Sequence, residues 1–399
     1  MNLRKWGAIA FGVAVGLAGV APASAQSAVA IERSGHTLHV AACPHGNPHG
    51  TARCHAHVVT DTRGNPINGK PNAGGLPSGY GPSTLRTAYG TASYTGSGTP
   101  TIAIVDAYGY ANAEADLAKY RSTYGLPACT SASGCFKKVS QTGGTNLPRE
   151  DTGWAQESAL DLDMASAMCP NCKIVLVEAT TNSFNNLAAA VAYAKTIPGV
   201  RAISNSYGGT DTGGSSFDST YSANNIAITA STGDSGYGAQ FPADAPGVVA
   251  VGGTSLAANG TETAWNGAGS GCGLSHAKPS WQAGVTDACA GRMEADISAV
   301  ADPNTGVAVY GPTSRRGSGW MVFGGTSASA PLIGAMFALR NGTINAAQSI
   351  YSHTSNLTDV TSGSNGSSCP VNYYCHAGTG YDGPTGLGTP EGLGAMSTN

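Results

Sequence analysis

The stretch GGTSASAP, residues 324–331, is a turn of small residues that carries Ser327 into the apolar run PLIGAMFAL (331–339). A serine opening a buried helix is a candidate nucleophile, but its hydroxyl attacks poorly unless a neighbouring base takes its proton. Fold and chemistry therefore turn on two questions: what scaffold surrounds this helix, and which residue is the base.

Upstream, short β-branched and aliphatic runs alternate with helical patterns. TIAIVDAYG (101–109), KIVLVEA (173–179), RAISNSYG (201–208), NIAITASTG (225–233) and GVVAVGGT (247–254) read as buried strands, with SFNNLAAAVAYAKT (183–196) a helix between two of them. This alternation predicts an α/β fold in which helices cover both faces of a mostly parallel sheet. Reactive groups in such sheets gather at the carboxyl ends of the strands. Residues 255–323 are glycine-rich and read as loops. The segment 26–80, rich in Gly, Pro, Asn and His, shows little apolar periodicity and reads as a leader or extension without its own core.

The chain has 399 residues, 57 of them glycine, with only 11% charged residues and a net charge of −3; about 25% charged is typical. No basic surface for nucleic acid follows from that balance. With every carboxylate protonated the positive charge would reach only 29, which limits self-repulsion in acid. Arg4 and Lys5 precede the apolar run WGAIAFGVAVGLAGVA, which ends near Ala23-Ser24-Ala25, a small-x-small cleavage site. Residues 1–25 therefore read as a signal peptide, and the protein as secreted, whether extracellular or periplasmic. The run is short for a membrane span, and nothing later is long and apolar enough, so no stable membrane association is expected. The ten cysteines fall as neighbours: Cys43/Cys54, Cys129/Cys135, Cys169/Cys172, Cys272/Cys289 and Cys369/Cys375. Sequential pairing would close five short loops, though other connectivities stay open. Cys169-Pro-Asn-Cys172 follows a helix rather than opening one, which favours a structural bridge over a redox pair.

A subtilisin triad runs Asp, His, Ser along the chain, and Asp106 in IVDAYG resembles its aspartate. The histidine does not follow. His49-Gly50-Thr51 precedes Asp106, and His276, in GLSHAKPSW, sits in a loop without helical context. A different base lies in GWAQESALDLDMASAM (153–168). At a helical period Glu157, Leu160, Asp161, Met164 and Met168 share one narrow stripe, so two carboxylates sit on the face expected to be buried. Asp163 points away from that stripe and fits a solvated surface. Two close carboxyls share a proton, and a glutamate so held accepts a serine proton where carboxylates titrate, in acid. In STGDSG (231–236) Asp234 follows a strand in a tight turn; protonated, it would donate to an oxyanion, and otherwise it is a turn aspartate.

Together these pieces resemble the sedolisins, serine-carboxyl peptidases with a subtilisin-like fold. The likeness runs from PSGYGPSTLRTAYG (77–90) through E-x-x-L-D (157–161), SNSYG (204–208), STGDSG, FPADAPGVVAVGGTSL (241–256) and WNGAGSGCGLS (265–275). It continues in PSWQ (279–282), EADISAVADPNTG (294–306) and GGTSASAP. The resemblance implies a three-layer peptidase domain over 81–399, with Ser327 as nucleophile, Glu157 as general base, Asp161 as its partner and Asp234 as oxyanion donor. In DVTSGSNG (359–366) and AGTGYDGPTGLGTP (377–390) it also implies one structural calcium ion. Its ligands would be the carboxylates of Asp359 and Asp382 and the carbonyls of Val360, Gly378 and Gly380, hard oxygens suited to calcium. Cys369 and Cys375 fall between those two groups. Substrates would be proteins or peptides, and a monomer is expected.

Sedolisins are generally made with a long folded propeptide, whereas about 55 residues separate the signal from the matching region here. In that leader His45, His49, His55 and His57 lie near Cys43 and Cys54 and offer metal ligands. A flexible His-rich leader, released when its histidines charge in acid, is the competing expectation. Two other functions remain open: a non-catalytic binding protein on the same scaffold, and a neutral peptidase using His276.

Overall fold

The computed structural model describes residues 30–398 apart from 45–47, 68, 70–74, 97, 211–213, 286–287, 316 and 346. The expected signal peptide, residues 1–25, and His45 lie outside the described residues. Four strands come first: β1 (Glu32–Ser34), β2 (Thr37–Ala41), β3 (Arg53–Cys54) and β4 (His57–Val59). The central sheet then assembles from β5 (Thr101–Ala107), β6 (Phe136–Ser140), β7 (Lys173–Ala179), β8 (Val200–Asn205), β10 (Ala227–Ser231) and β11 (Val249–Leu256). Its order is β6-β7-β5-β8-β10-β11, all neighbours parallel. β12 (Glu262–Ala264) adds antiparallel to β11, and β15 (Ile297–Val300) runs parallel to it. β9 (Tyr207–Gly208) follows β8 immediately, and β13 (Gly271–Ala277) pairs with β14 (Gly291–Glu294).

Period-two alternation distributes each strand between two cores. Ile102 and Ile104 of β5 pack into one cluster, Ala103 and Val105 into the other. The first cluster holds most buried apolar residues of α1 (Pro82–Ala88), α2 (Ala113–Thr123), α3 (Thr152–Met168) and α5 (Thr326–Arg340), while Trp154 of α3 joins the second. The second holds α4 (Phe184–Ala194). Two helices start on side-chain caps: Asp151 accepts from the Trp154 N–H, and Ser183 from that of Asn186. The α/β arrangement anticipated from the strand and helix pattern, helices on both faces of a mostly parallel sheet, is therefore present, in the three-layer form that the resemblance implied.

Three expectations need correction. Residues 255–323 are not loops throughout: they contain β16 (Val307–Ser314) and β17 (Gly317–Gly324), an antiparallel hairpin. That hairpin joins the first strands in a second sheet of order β1-β2-β4-β17-β16, so β1, β2 and β4 fit the ordered extension of the two readings and not the flexible leader. Asp163 is not solvated either. β16 covers that side of α3, and the Tyr310 N–H donates to the buried Asp163 carboxylate at 2.8 Å. All ten cysteines pair in the sequential order.

Candidate active site

Ser327 is the second residue of α5, whose N-cap Gly325 has φ +95°. Its hydroxyl donates to the Ser206 carbonyl at 3.2 Å, just past the end of β8. The α3 stripe faces this point, and Glu157 and Asp161 are both completely buried. Asp161 Oδ1 accepts from the Ser206 hydroxyl at 2.8 Å. Glu157 lies near enough for the Ser327 hydroxyl to favour its ionised form, yet neither of its oxygens has a hydrogen bond of ordinary geometry. The Ser327 hydroxyl rests on Ser206, and reaching Glu157 requires it to turn.

Both carboxyls are held well above the ordinary carboxylate range. For Glu157 the main cause is burial, followed by the charges of Asp161 and Asp106; for Asp161 it is burial, then Asp106. Asp106 itself is pushed up to about 7, chiefly by burial and further by Glu178, against the Ser158 hydroxyl. It reaches this cluster because it continues the Ile102, Ile104 face of β5. That alternation is visible in the sequence, which suggested Asp106 only as a triad aspartate.

Asp234 follows β10 and meets the start of α5. Its Oδ1 accepts from both the N–H and the hydroxyl of Thr326, each at 2.8 Å. Oδ2 lies 3.3 Å from His57 Nε2. Burial works to raise its pKa, but the hydrogen bond and charge of His57, with His55 and the Thr326 N–H, outweigh it and the carboxyl sits below its usual value. The protonated Asp234 anticipated from the turn is thus not the form favoured while His57 stands beside it.

His276 pairs with Asp218 and Asp244, at 3.2 and 3.5 Å, and stacks on Phe241; it gives no support to a triad. The leader ligands are divided: Cys43 and Cys54 are bridged, His55 is buried against Ser231 and Gln240, and His57 faces Asp234. A different trio, Glu32, His39 and His57, brings one ligand atom each within 4.8 Å of the others. The presence of His55 and His57 at Ser327 was missed, because strand pairing across nearly three hundred residues leaves no local signal.

In the C-terminal loops Asp359 accepts from the Gly380 N–H at 2.8 Å, and Asp382 from the Gly378 N–H at 3.1 Å. The two segments singled out for calcium therefore meet. Asp382 is pushed up to about 7 by burial first, with the Asp359 charge adding to it against several hydrogen bonds.

The start of α5 thus faces the buried carboxylates of α3 beside the end of β8. The chain belongs to the subtilase family, which it matches over residues 144–368. Within that class it is similar to sedolisins. Kumamolisin of Bacillus sp. (strain MN-32) is 31% identical over 365 residues, covering 79% of this chain and 63% of that protein. Sedolisin of Pseudomonas sp. (strain 101) is 27% identical over 372 residues, covering 80% and 61%. The solved structure of Pseudomonas sedolisin, a serine-carboxyl proteinase complexed with two molecules of pseudo-iodotyrostatin, superposes with a TM-score of 0.66 at 25% identity. It covers 78% of this chain and 95% of that one. The chain spans about three-fifths of the length of the curated relatives it matches.

Proposed function

We propose that this chain is a secreted serine-carboxyl endopeptidase, active in acid, that cuts unfolded or flexible proteins through an acyl-enzyme on Ser327. The observation that carries the reading is the convergence of Ser327, Glu157 and Asp161 in one buried cluster around Ser206. Ionised Glu157 takes the Ser327 proton, and Asp161 holds Glu157 in place and shares its proton. Ionisation of the pair as it shares its proton sets the acidic limb of activity. Asp234, once protonated, donates to the oxyanion; that requires His57 to withdraw and acid to supply the proton. Five disulfides support a location outside the reducing cytosol. Among the described residues no helix is long and apolar enough to cross a membrane.

One calcium ion fits the C-terminal loops. A buried Asp382 carboxyl whose protonation is favoured by burial and by the neighbouring Asp359 charge forms a setting that a divalent cation would relieve. Asp359 and Asp382 would bind it by carboxylate, with Val360, Gly378 and Gly380 offering carbonyls, and its contribution would be to pin these loops. The peptidase reading is tested with peptide substrates from acid to neutral pH. Hydrolysis in acid that Ser327→Ala abolishes is expected; none at any pH would favour a binding protein.

A further inference from the structure

Residues 51–59 run past Ser327 between two strand pairings. β3 pairs antiparallel with β9, setting Arg53 opposite Gly208 and Cys54 opposite Tyr207. The His55 N–H donates to the Ser206 carbonyl at 3.2 Å. Past His55 the chain crosses to the other side, where β4 pairs antiparallel with β17, His57 opposite Gly324 and Val58 opposite Phe323. Between these pairings the His55 carbonyl accepts from the Ser327 N–H at 3.4 Å. It lies so close to Gly325 that a Cβ there would sit 1.9 Å from it. A carbonyl at the nucleophile's own N–H is where an oxyanion would form. The His55 ring fills the adjoining pocket, Nδ1 2.7 Å from Ser231 Oγ and Nε2 3.1 Å from Gln240 Oε1.

Both sides of the bond that follows are braced. Cys54, just before His55, is bridged to Cys43, and Ala56, just after it, accepts from the Ala42 N–H at 2.9 Å. Adjacent residues 42 and 43 therefore hold the two ends, and β2 and β17 hold the strand beyond.

We propose that residues 51–58 form a built-in inhibitory loop, bound in substrate register, in which His55–Ala56 is the bond presented to Ser327 and the Cys43–Cys54 bridge keeps it from leaving. Ser231 and Gln240 then define the pocket for the residue before the cut, one that accepts a hydrogen-bonding imidazole. This rests on the peptidase reading. In the step itself Ser327 Oγ bonds to the His55 carbonyl carbon and its proton passes to Glu157. The His55–Ala56 C–N bond breaks, and that proton moves to the Ala56 nitrogen. Because the Ala56 amine is held in place, it re-forms the bond on the acyl-enzyme more often than water clears it. His57 adds a second block by occupying Asp234.

The test uses the full chain. Cys43→Ser/Cys54→Ser, and separately Ala42→Pro with the bridge intact, should each raise hydrolysis of a fluorogenic peptide in acid about tenfold or more, as expected when a mostly closed cleft opens. In parallel, on the Ser327→Ala background, a fluorescein-labelled peptide of residues 51–58 carrying Cys54→Ser should bind the bridge-free chain and not the bridged one, read by anisotropy. Equal hydrolysis and equal peptide binding with and without the bridge would overturn the loop and leave the peptidase reading standing. Binding gated by the bridge, with no hydrolysis by any chain, would uphold the loop and sink the peptidase reading.

Discussion

Asp106 carries much of the site's electrostatics without touching Ser327. Its buried carboxyl has no hydrogen-bond partner of ordinary geometry, and its charge raises both Glu157 and Asp161. Because Asp106 itself is pushed up to about 7, it is already neutral in acid, so Asp106→Asn should leave the acidic limb of kcat/KM in place; a limb that moves downward would show that Asp106 is ionised when Glu157 takes the proton. Glu157 and Asp161 could be found in the sequence because their spacing conflicts with a solvated helix face. Asp234 could be located, but its ionisation could not, since that depends on His57 arriving from a strand far away in sequence.

The strands and helices of the central layer were legible because each is buried and strongly patterned: β5, β7 and α4 fall where the apolar runs place them. The hairpin of β16 and β17 was not. Its sequence mixes Gly, Ser, Pro and Tyr, and its strand character comes from pairing with β4 and packing on α3. The same override hid Asp163, whose helix looks one-sided until a second sheet covers it. The C-terminal loops are legible as a pair of aspartates in glycine-rich turns, and folding brings them together. If calcium pins them, chelation should lower the thermal midpoint of the wild type and leave Asp359→Ala unaffected. Identical midpoints with and without chelator in the wild type would contradict the site.

For the molecule as a whole, buried carboxyls with raised pKa values dominate the balance. Asp106 and Glu178 are pushed up to about 7, burial being the first cause of each, and Asp163 and Glu294 stand well above the usual range. Such groups keep protons in the folded state that the unfolded chain releases above about pH 4. The folded state then binds more protons, so stability is fullest below that pH and falls as pH rises toward about 7. Asp234, with its lowered pKa, acts in the opposite sense, losing its contribution as pH falls through its folded value, and so do His39 and His55, which burial lowers to about 4. The raised carboxyls outnumber them. The thermal midpoint should therefore fall across that window, and fall less in Asp163→Asn; a midpoint that climbs steadily toward neutrality would contradict this. Low charge density, legible from composition, agrees in direction, while the burial of these carboxyls emerges only from the fold. The central claim, that Glu157 is the base of Ser327, is tested most directly by kcat/KM against pH for wild type and Glu157→Gln, each also carrying Cys43→Ser/Cys54→Ser to open the cleft. Activity in acid that Glu157→Gln lowers by about 10²- to 10⁴-fold is the predicted result. A peak near neutrality that Glu157→Gln leaves unchanged would contradict it.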